Sequence, residues 1–156
     1  MVVMAPTAAP TRATAMAAAI PFRRTGGDVR ILLARGGDGR WSLPTGRCEP
    51  DEPPHRAAAR EAWRSAGAAG SVRPTPVTTY RIHERLGRGP RLAFDVRAFL
   101  LEVEEERPVD PALAAASWFG PHDAVRALRH GRPPAESAEL TRTLDEAVAV
   151  IEGRRR

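Results

Sequence analysis

The chain has 156 residues, enough for one domain with a buried core. Its 24 basic residues are all arginine and stand among 19 acidic ones, so the net charge of +5 favours a solvated surface over a nucleic-acid-binding one. The aromatic content of 5% is too low for base-stacking surfaces, and a single cysteine, Cys48, excludes a disulfide framework.

The N-terminal stretch, residues 1–16, is rich in small residues and is interrupted by Pro6 and Pro10. An export signal needs a basic start and an unbroken apolar segment, so we expect a disordered tail here instead. No apolar run in the sequence approaches the length of a membrane span, and a cytoplasmic location is therefore expected. Residues 17–152 are predicted to form one domain, followed by a basic end at residues 153–156, which suits the negative end of a helix.

Strands are predicted where apolar residues run or alternate between turn-forming residues. Residues 17–24 and 29–35 form the first two strands, and a short third strand begins at Trp41. Residues 72–84 are predicted to be extended. They form a long antiparallel hairpin with residues 92–101, in which side chains alternate with a period of two.

The remaining elements follow the hairpin. The acidic residues 102–106 are expected to lead into a loop, and Trp118 and Phe119 to form a short strand. A helix is predicted over residues 121–129. The last helix carries one apolar stripe at helical spacing, made by Leu140, Leu144, Ala147, Val148 and Ile151.

The first helix follows the turn after Trp41. Pro53 and Pro54 suit its first turn, where their missing N–H groups cost nothing. Asp51 or Glu52 is expected to cap the helix, and the glycines at 67 and 70 to end it.

This helix and its preceding turn carry residues at characteristic spacings. Five residues separate Gly46 from Glu52, seven more precede Arg60 and Glu61, and a glycine follows six positions after Glu61. The pattern resembles the Nudix box, G-x5-E-x7-R-E-U-x-E-E-x-G-U, in which U is apolar. The positions that match are Gly46, Glu52, Arg60, Glu61, Ala62, Gly67 and Ala68.

The resemblance implies the fold and the roles of several residues. The implied fold is the α+β Nudix fold, a mixed β-sheet sandwiched between helices. Glu61, Glu52 and Gly46 would then hold Mg²⁺ or Mn²⁺, with Glu61 as the catalytic residue. Arg60 would brace the loop, and Arg47 would face the phosphates. The segments AIPFRR, LP-x-G and WF-GP-x-x-A further resemble the diphosphoinositol polyphosphate phosphohydrolase-like branch of the family.

Arg64 and Ser65 stand where the box has two adjacent glutamates. Together with Glu61 they are spaced i, i+3, i+4, so they share one helix face on which the family gathers metal-binding carboxylates. Their formal charge is about zero here, where three glutamates would give about −3. A charge 4 Å away contributes roughly 4 kcal/mol at an effective dielectric of about 20, so Arg64 should repel a divalent cation and pair with Glu61.

Two functional hypotheses follow, and the sequence leaves both open. One is a weakly active Mg²⁺-dependent hydrolase of nucleoside diphosphates linked to another moiety, or of polyphosphates. The other is a pseudoenzyme with impaired catalysis that binds a small phosphorylated ligand, a nucleotide or a polyphosphate, through Arg64 and Arg47 or acts as a scaffold. Nucleic-acid binding is disfavoured, because it rests on net charge alone.

Overall fold

The computed structural model of the protein describes residues 15–85, 88–112 and 114–153. The predicted tail lies outside these ranges except for its last two residues, and the predicted basic end lies outside them except for Gly153. The strands are β1 (Met16–Thr25), β2 (Asp28–Arg35), β3 (Trp41–Ser42), β4 (Thr45–Arg47), β5 (Ala68–Val72), β6 (Thr78–Arg85), β7 (Arg91–Glu106) and β8 (Ala115–Phe119). The helices are α1 (Pro54–Ala66), α2 (Pro121–Arg129) and α3 (Pro134–Ile151).

The sheet is mixed and is built around β1. Strand β1 pairs in parallel with β7 and antiparallel with β2 and β4. Strand β2 also pairs with β3 and β8, and β7 also pairs with β5 and β6, all antiparallel. The predicted hairpin is confirmed as β6 and β7, although β6 begins at Thr78.

The two faces of the sheet are covered by different helices because successive residues of a strand point to opposite sides. Ala17 and Ala19 face α1, where alanines of the helix pack closely against Phe99 and Leu101. Ile20 lies in the larger core that α2 and α3 cover. The predicted mixed sheet between helices is thereby confirmed. Within the described part of the chain, no helix has the length and apolar character needed to cross a membrane.

Two short strands occur where the sequence predicted a turn and a helix end. Strand β4 was predicted as part of a turn, but it pairs with the start of β1, with Gly46 opposite Ala17. Helix α1 ends at Gly67, whose φ of 68° is left-handed, and β5 begins at once. Gly70 lies at an irregularity inside β5, where a Cβ atom would stand 1.9 Å from the carbonyl oxygen of Glu102.

The acidic residues 102–106 form the end of β7, so the strand predicted over residues 92–101 continues to Glu106 before the chain enters the loop. Strand β5 pairs with this segment, placing Ala68 opposite Glu106. Individual carboxylates are satisfied by neighbours, since Glu106 pairs with Arg23 at 3.2 Å and accepts a hydrogen bond from the Trp118 indole. Pairing with β5 therefore overrides the low strand propensity of glutamate.

Side chains of α3 cover the outer edge of β6. The backbone N–H of Arg81 donates to Glu139, and that of His83 donates to Glu136 at 3.0 Å. Arg142 donates to the carbonyl oxygen of Thr79 at 3.1 Å. These are alternate residues of β6, so the groups involved belong to the side of the strand turned away from β7. Helix α3 thus satisfies an edge that the sheet leaves unpaired.

Candidate functional site

Helix α1 and strand β4 bring Glu61 against Gly46. The Glu61 side chain is 3% exposed. A Cβ atom at position 46 would lie 2.5 Å from the Glu61 carboxyl carbon, so only glycine allows this approach. The close approach of α1 to β4 therefore depends on a residue without a side chain at position 46, and the contact explains that requirement independently of any ligand.

We expect Gly46→Ala to destabilise the fold by about 1–3 kcal/mol, because the buried carboxylate has little room to move. Gly36→Ala is the matched control: nothing lies within 4 Å of the added carbon and its φ is not left-handed. Urea unfolding of both variants tests this. Equal midpoints for the two would show that Glu61 relaxes freely.

Both oxygens of the Glu61 carboxylate have protein partners. Oε2 lies 3.0 Å from Nη1 of Arg60 and 3.2 Å from Nη2 of Arg64. Oε1 accepts a hydrogen bond from the Ser65 hydroxyl at 3.4 Å. The expected ion pair between Arg64 and Glu61 is confirmed, and the guanidinium of Arg60 adds a second cation to the same carboxylate.

Arg60 also joins α1 to the loop that precedes it. Its Nε and Nη2 donate to the two oxygens of Glu52 at 3.0 and 2.9 Å, and Nη2 donates to the carbonyl oxygen of Arg47 at 2.9 Å. Glu52 further accepts the backbone N–H of Glu49. The hydrogen bonds from Arg60 and from this N–H lower the pKa of Glu52. These are the contacts that a loop-bracing arginine needs.

The expected side-chain cap of α1 is corrected by the structure. No side chain caps α1: its N-cap residue is Pro53, and the Glu52 carboxylate is taken up by Arg60. Asp51 adopts a left-handed φ of 67° in the turn. Arg47 enters the cluster through its carbonyl oxygen, while its side chain is exposed.

The donor set does not suit a divalent cation of the kind that the box implies. Mg²⁺ needs several oxygen ligands in an octahedral arrangement, and carboxylates bind it through unprotonated, accessible oxygens. In the described ranges no three His, Cys, Asp or Glu side chains stand together as a metal site would require. Glu61 and Glu52 are occupied by arginines, and Arg64 adds a positive charge where a ligand would be needed. The residues present therefore do not fit the ion.

A cavity of about 280 Å³ is bordered by Ser65 of α1, Leu128 of α2 and Leu140 of α3. Its polar lining comes from distant parts of the sequence and consists of Arg35, Asp38, Arg40, Ser42, Thr45, Ser65, Tyr80, Arg132 and Glu136. Sequence reasoning missed Tyr80, Arg132 and Glu136 because they belong to strand β6, to the turn between α2 and α3 and to the first turn of α3, none of which carries a motif of its own. The sequence does offer one indication of this group: Arg132 and Glu136 are opposite charges one helical turn apart, beside a Pro-Pro pair.

Comparison with solved structures reveals the same fold. An enzyme from Jonesia denitrificans, described as a possible asymmetric diadenosine tetraphosphate hydrolase, is 21% identical with a TM-score of 0.65, over 87% of this chain and 95% of that one. The C. elegans Ap4A hydrolase is 17% identical with a TM-score of 0.63, over 89% and 98%. The NUDIX domain of Shewanella oneidensis NrtR, solved with ADP ribose, is 14% identical with a TM-score of 0.61, over 87% and 88%.

The sequence itself matches the profile of the NUDIX domain over residues 13–142. That range contains both strands that frame the site, helix α1 and all the box residues described above. The matched region, the mixed sheet between helices and the position of the box helix agree with one another. The chain belongs to the Nudix family.

Proposed function

We propose that this protein binds a small phosphorylated ligand of the nucleotide or polyphosphate type and that its metal-dependent hydrolysis is impaired. The observation that carries the proposal is the state of Glu61, whose two carboxylate oxygens are held by Arg60, Arg64 and Ser65. A carboxylate engaged in this way is a poor metal ligand and a poor base. Breaking its contacts would leave a buried charge uncompensated.

Arg64 supplies the positive charge for a phosphate in place of the metal. A guanidinium binds phosphate oxygens with two parallel N–H donors but does not activate water as a metal ion does. The Arg64 side chain is 72% exposed, and its contacts with Glu61 are 3.2 and 3.5 Å long. Exposed pairs of this kind contribute at most about 1 kcal/mol, so Arg64 can turn toward a ligand at little cost.

The cavity gives the rest of the ligand a place to bind. It borders Ser65, which precedes Ala66 and follows Arg64 in α1. The solved relatives support this class of ligand, since their descriptions include Ap4A hydrolases and a domain bound to ADP ribose. A diphosphoinositol polyphosphate-like ligand remains the narrower proposal, which rests on the short segments AIPFRR, LP-x-G and WF-GP-x-x-A.

The second candidate is a weakly active Mg²⁺- or Mn²⁺-dependent phosphohydrolase. It is favoured by the otherwise complete box of a hydrolase family and by the retention of Glu61 beside Gly46. In that case the ion would displace Arg64 from Glu61 and recruit Glu52. The competing contacts of Arg60 argue for a low metal affinity.

Calorimetric titration with nucleoside diphosphates and pyrophosphate, in EDTA and in Mg²⁺, tests the proposal. We expect binding that EDTA does not weaken, with release of phosphate or nucleoside monophosphate near background. Arg64→Gln should weaken binding by about tenfold to a hundredfold, the effect of losing one charge-assisted contact. Arg56→Gln, on the same helix and also exposed, is the matched control. Abolition of binding by EDTA, or ordinary turnover in Mg²⁺, would favour the hydrolase instead.

A further inference from the structure

Strand β8 (Ala115–Phe119) is an edge strand of the sheet whose outer side is open. It pairs with β2 on one side. Among the residues that the structure describes, no loop backbone and no side chain forms a hydrogen bond with the main chain of β8 on its other side. By contrast, two outer N–H groups of β6 are bonded to Glu136 and Glu139 of α3. An open edge of this kind can pair with a further strand.

The composition of β8 and of its surroundings favours an uncharged partner. The strand reads AASWF, without the charged residues or prolines that usually protect an exposed edge. Beside it, next to the end of α1, lies a groove of about 570 Å³ whose charged lining residues, Glu106 and Arg107, have opposite signs. Neither an acidic nor a basic surface complements such a pair. The apolar lining of the groove includes Leu32, Ala66, Pro108, Val109, Ala116 and Trp118.

The order of side chains in β8 is complementary to itself. If two β8 strands pair antiparallel about Ser117, Ala115 lies opposite Phe119 of the second copy, and Ala116 lies opposite Trp118 of the second copy. Each large side chain then meets a small one, and no charges face each other within the strand pair. Ala116 and Trp118 already share the face of the sheet on which the groove lies. Because opposite Cβ atoms are about 4.5–5.5 Å apart, the second copy places its indole beside that groove.

We propose that β8 is a dimer interface, in which two copies of this chain pair their β8 strands antiparallel about a two-fold axis at Ser117. The interface is isologous, so the size order of one strand fits the same strand of the other copy. Stable interfaces bury about 800 Å² per partner. A contact through the five residues of β8 and one groove is smaller, so the dimer dissociates on dilution. This inference goes beyond the proposed function and does not depend on any ligand.

A disulfide across the axis tests the geometry. Ser117→Cys, in a chain that also carries Cys48→Ala, places two thiols opposite each other in the dimer. Opposite Cα atoms of an antiparallel pair lie about 4.5–5.5 Å apart, which a disulfide spans. Mild oxidation should therefore give a covalent dimer at least about tenfold faster than in His83→Cys with Cys48→Ala. His83 is the matched control, because it is also exposed on an edge strand but α3 covers that edge.

Sedimentation of the unmodified chain at increasing concentration gives a second readout, and we expect monomers that convert to dimers. Ser117→Asp should raise the dissociation constant of the dimer at least about tenfold, because it sets two like charges opposite each other. Thr79→Asp, also exposed on an edge strand, should leave that constant unchanged. Monomers at every concentration, a dimer that persists in Ser117→Asp, or equal cross-linking of the two cysteine variants would overturn the inference.

Discussion

Replacing Arg64 and Ser65 together with glutamate is expected to tighten Mg²⁺ binding beside Glu61 by about tenfold to a hundredfold. The change takes the formal charge of these three positions from about zero to about −3 and releases Glu61 from one cation. A unit charge 4 Å away is worth roughly 4 kcal/mol at a dielectric of about 20, and the 72% exposure of Arg64 reduces that figure. Titration with Mg²⁺ and Mn²⁺ measures the gain.

The control for this variant is Arg64→Gln with Ser65→Gln, which removes the guanidinium without adding carboxylates. It should bind Mg²⁺ less tightly than the double glutamate variant. Phosphate or nucleoside monophosphate release from nucleoside diphosphate derivatives gives a second readout, and we expect it to rise above background only with the glutamates. If the double glutamate variant binds the ions no better than the wild type, the two substitutions are not what weakens the site.

Among substitutions in the cluster around Glu61, Arg60→Met should destabilise the fold most. It is expected to lower the free energy of unfolding by about 2–3 kcal/mol. Removing one partner of a buried ion pair costs about 3–5 kcal/mol, and the 34% exposure of Arg60 lowers that figure. The substitution leaves Glu61 buried with a weaker partner and frees Glu52 and the carbonyl oxygen of Arg47. For a chain of this size the loss corresponds to a fall in Tm of roughly 5–10 °C.

Arg64→Met is the matched control for Arg60→Met, because it also removes a guanidinium from Glu61 but at an exposed position. Arg64→Met should lower the free energy of unfolding by no more than about 1 kcal/mol. If Arg60→Met and Arg64→Met lower the free energy of unfolding by similar amounts, Arg60 does not brace the loop.

Acid unfolding gives a readout specific to the contact between Arg60 and Glu52. The folded pKa of Glu52 lies below its ordinary value of 4.5, chiefly because of hydrogen bonds from Arg60. The unfolded chain therefore binds the proton first, and this contact stabilises the fold fully above pH 4.5 and less as the pH falls through the folded value. Arg60→Met removes the main cause of the lowered pKa of Glu52. The free energy of unfolding of this variant should therefore fall less steeply below pH 4.5 than that of the wild type.

Local patterns predicted most of the secondary structure. The period-two alternation in β7 and the apolar run of β2 identify strands because one or both faces are buried. The short strands β4 and β5 carry no such pattern, since each exists through pairing with a distant strand. The strand predicted over residues 92–101 extends to Glu106 for the same reason: the strand conformation of its acidic end comes from pairing with β5, which sequence propensity does not include.

The residues of the candidate site likewise fall into two groups: those that a local pattern predicts and those that only the fold brings together. The box residues Gly46, Glu52, Arg60 and Glu61 were found from spacing within 16 residues, and the structure brings them together. The substitution at Arg64 was visible in the sequence, as was its pairing with Glu61. The second cation on Glu61 comes from Arg60, for which the box resemblance implies only the bracing of the loop. The cavity was not predictable, because the fold alone brings the strand residue Tyr80 and the inter-helix residue Arg132 to one place.

The glutamates of α3 that accept the outer N–H groups of β6 give the domain protection against self-association through that strand. Strand addition by a neighbouring molecule requires free N–H and carbonyl groups along an edge, and here Glu136, Glu139 and Arg142 already occupy three of them. Detaching α3 would expose that edge together with the apolar face of the sheet against which Leu140, Leu144 and Ile151 pack. The helix therefore covers both surfaces through which a second molecule could associate with β6.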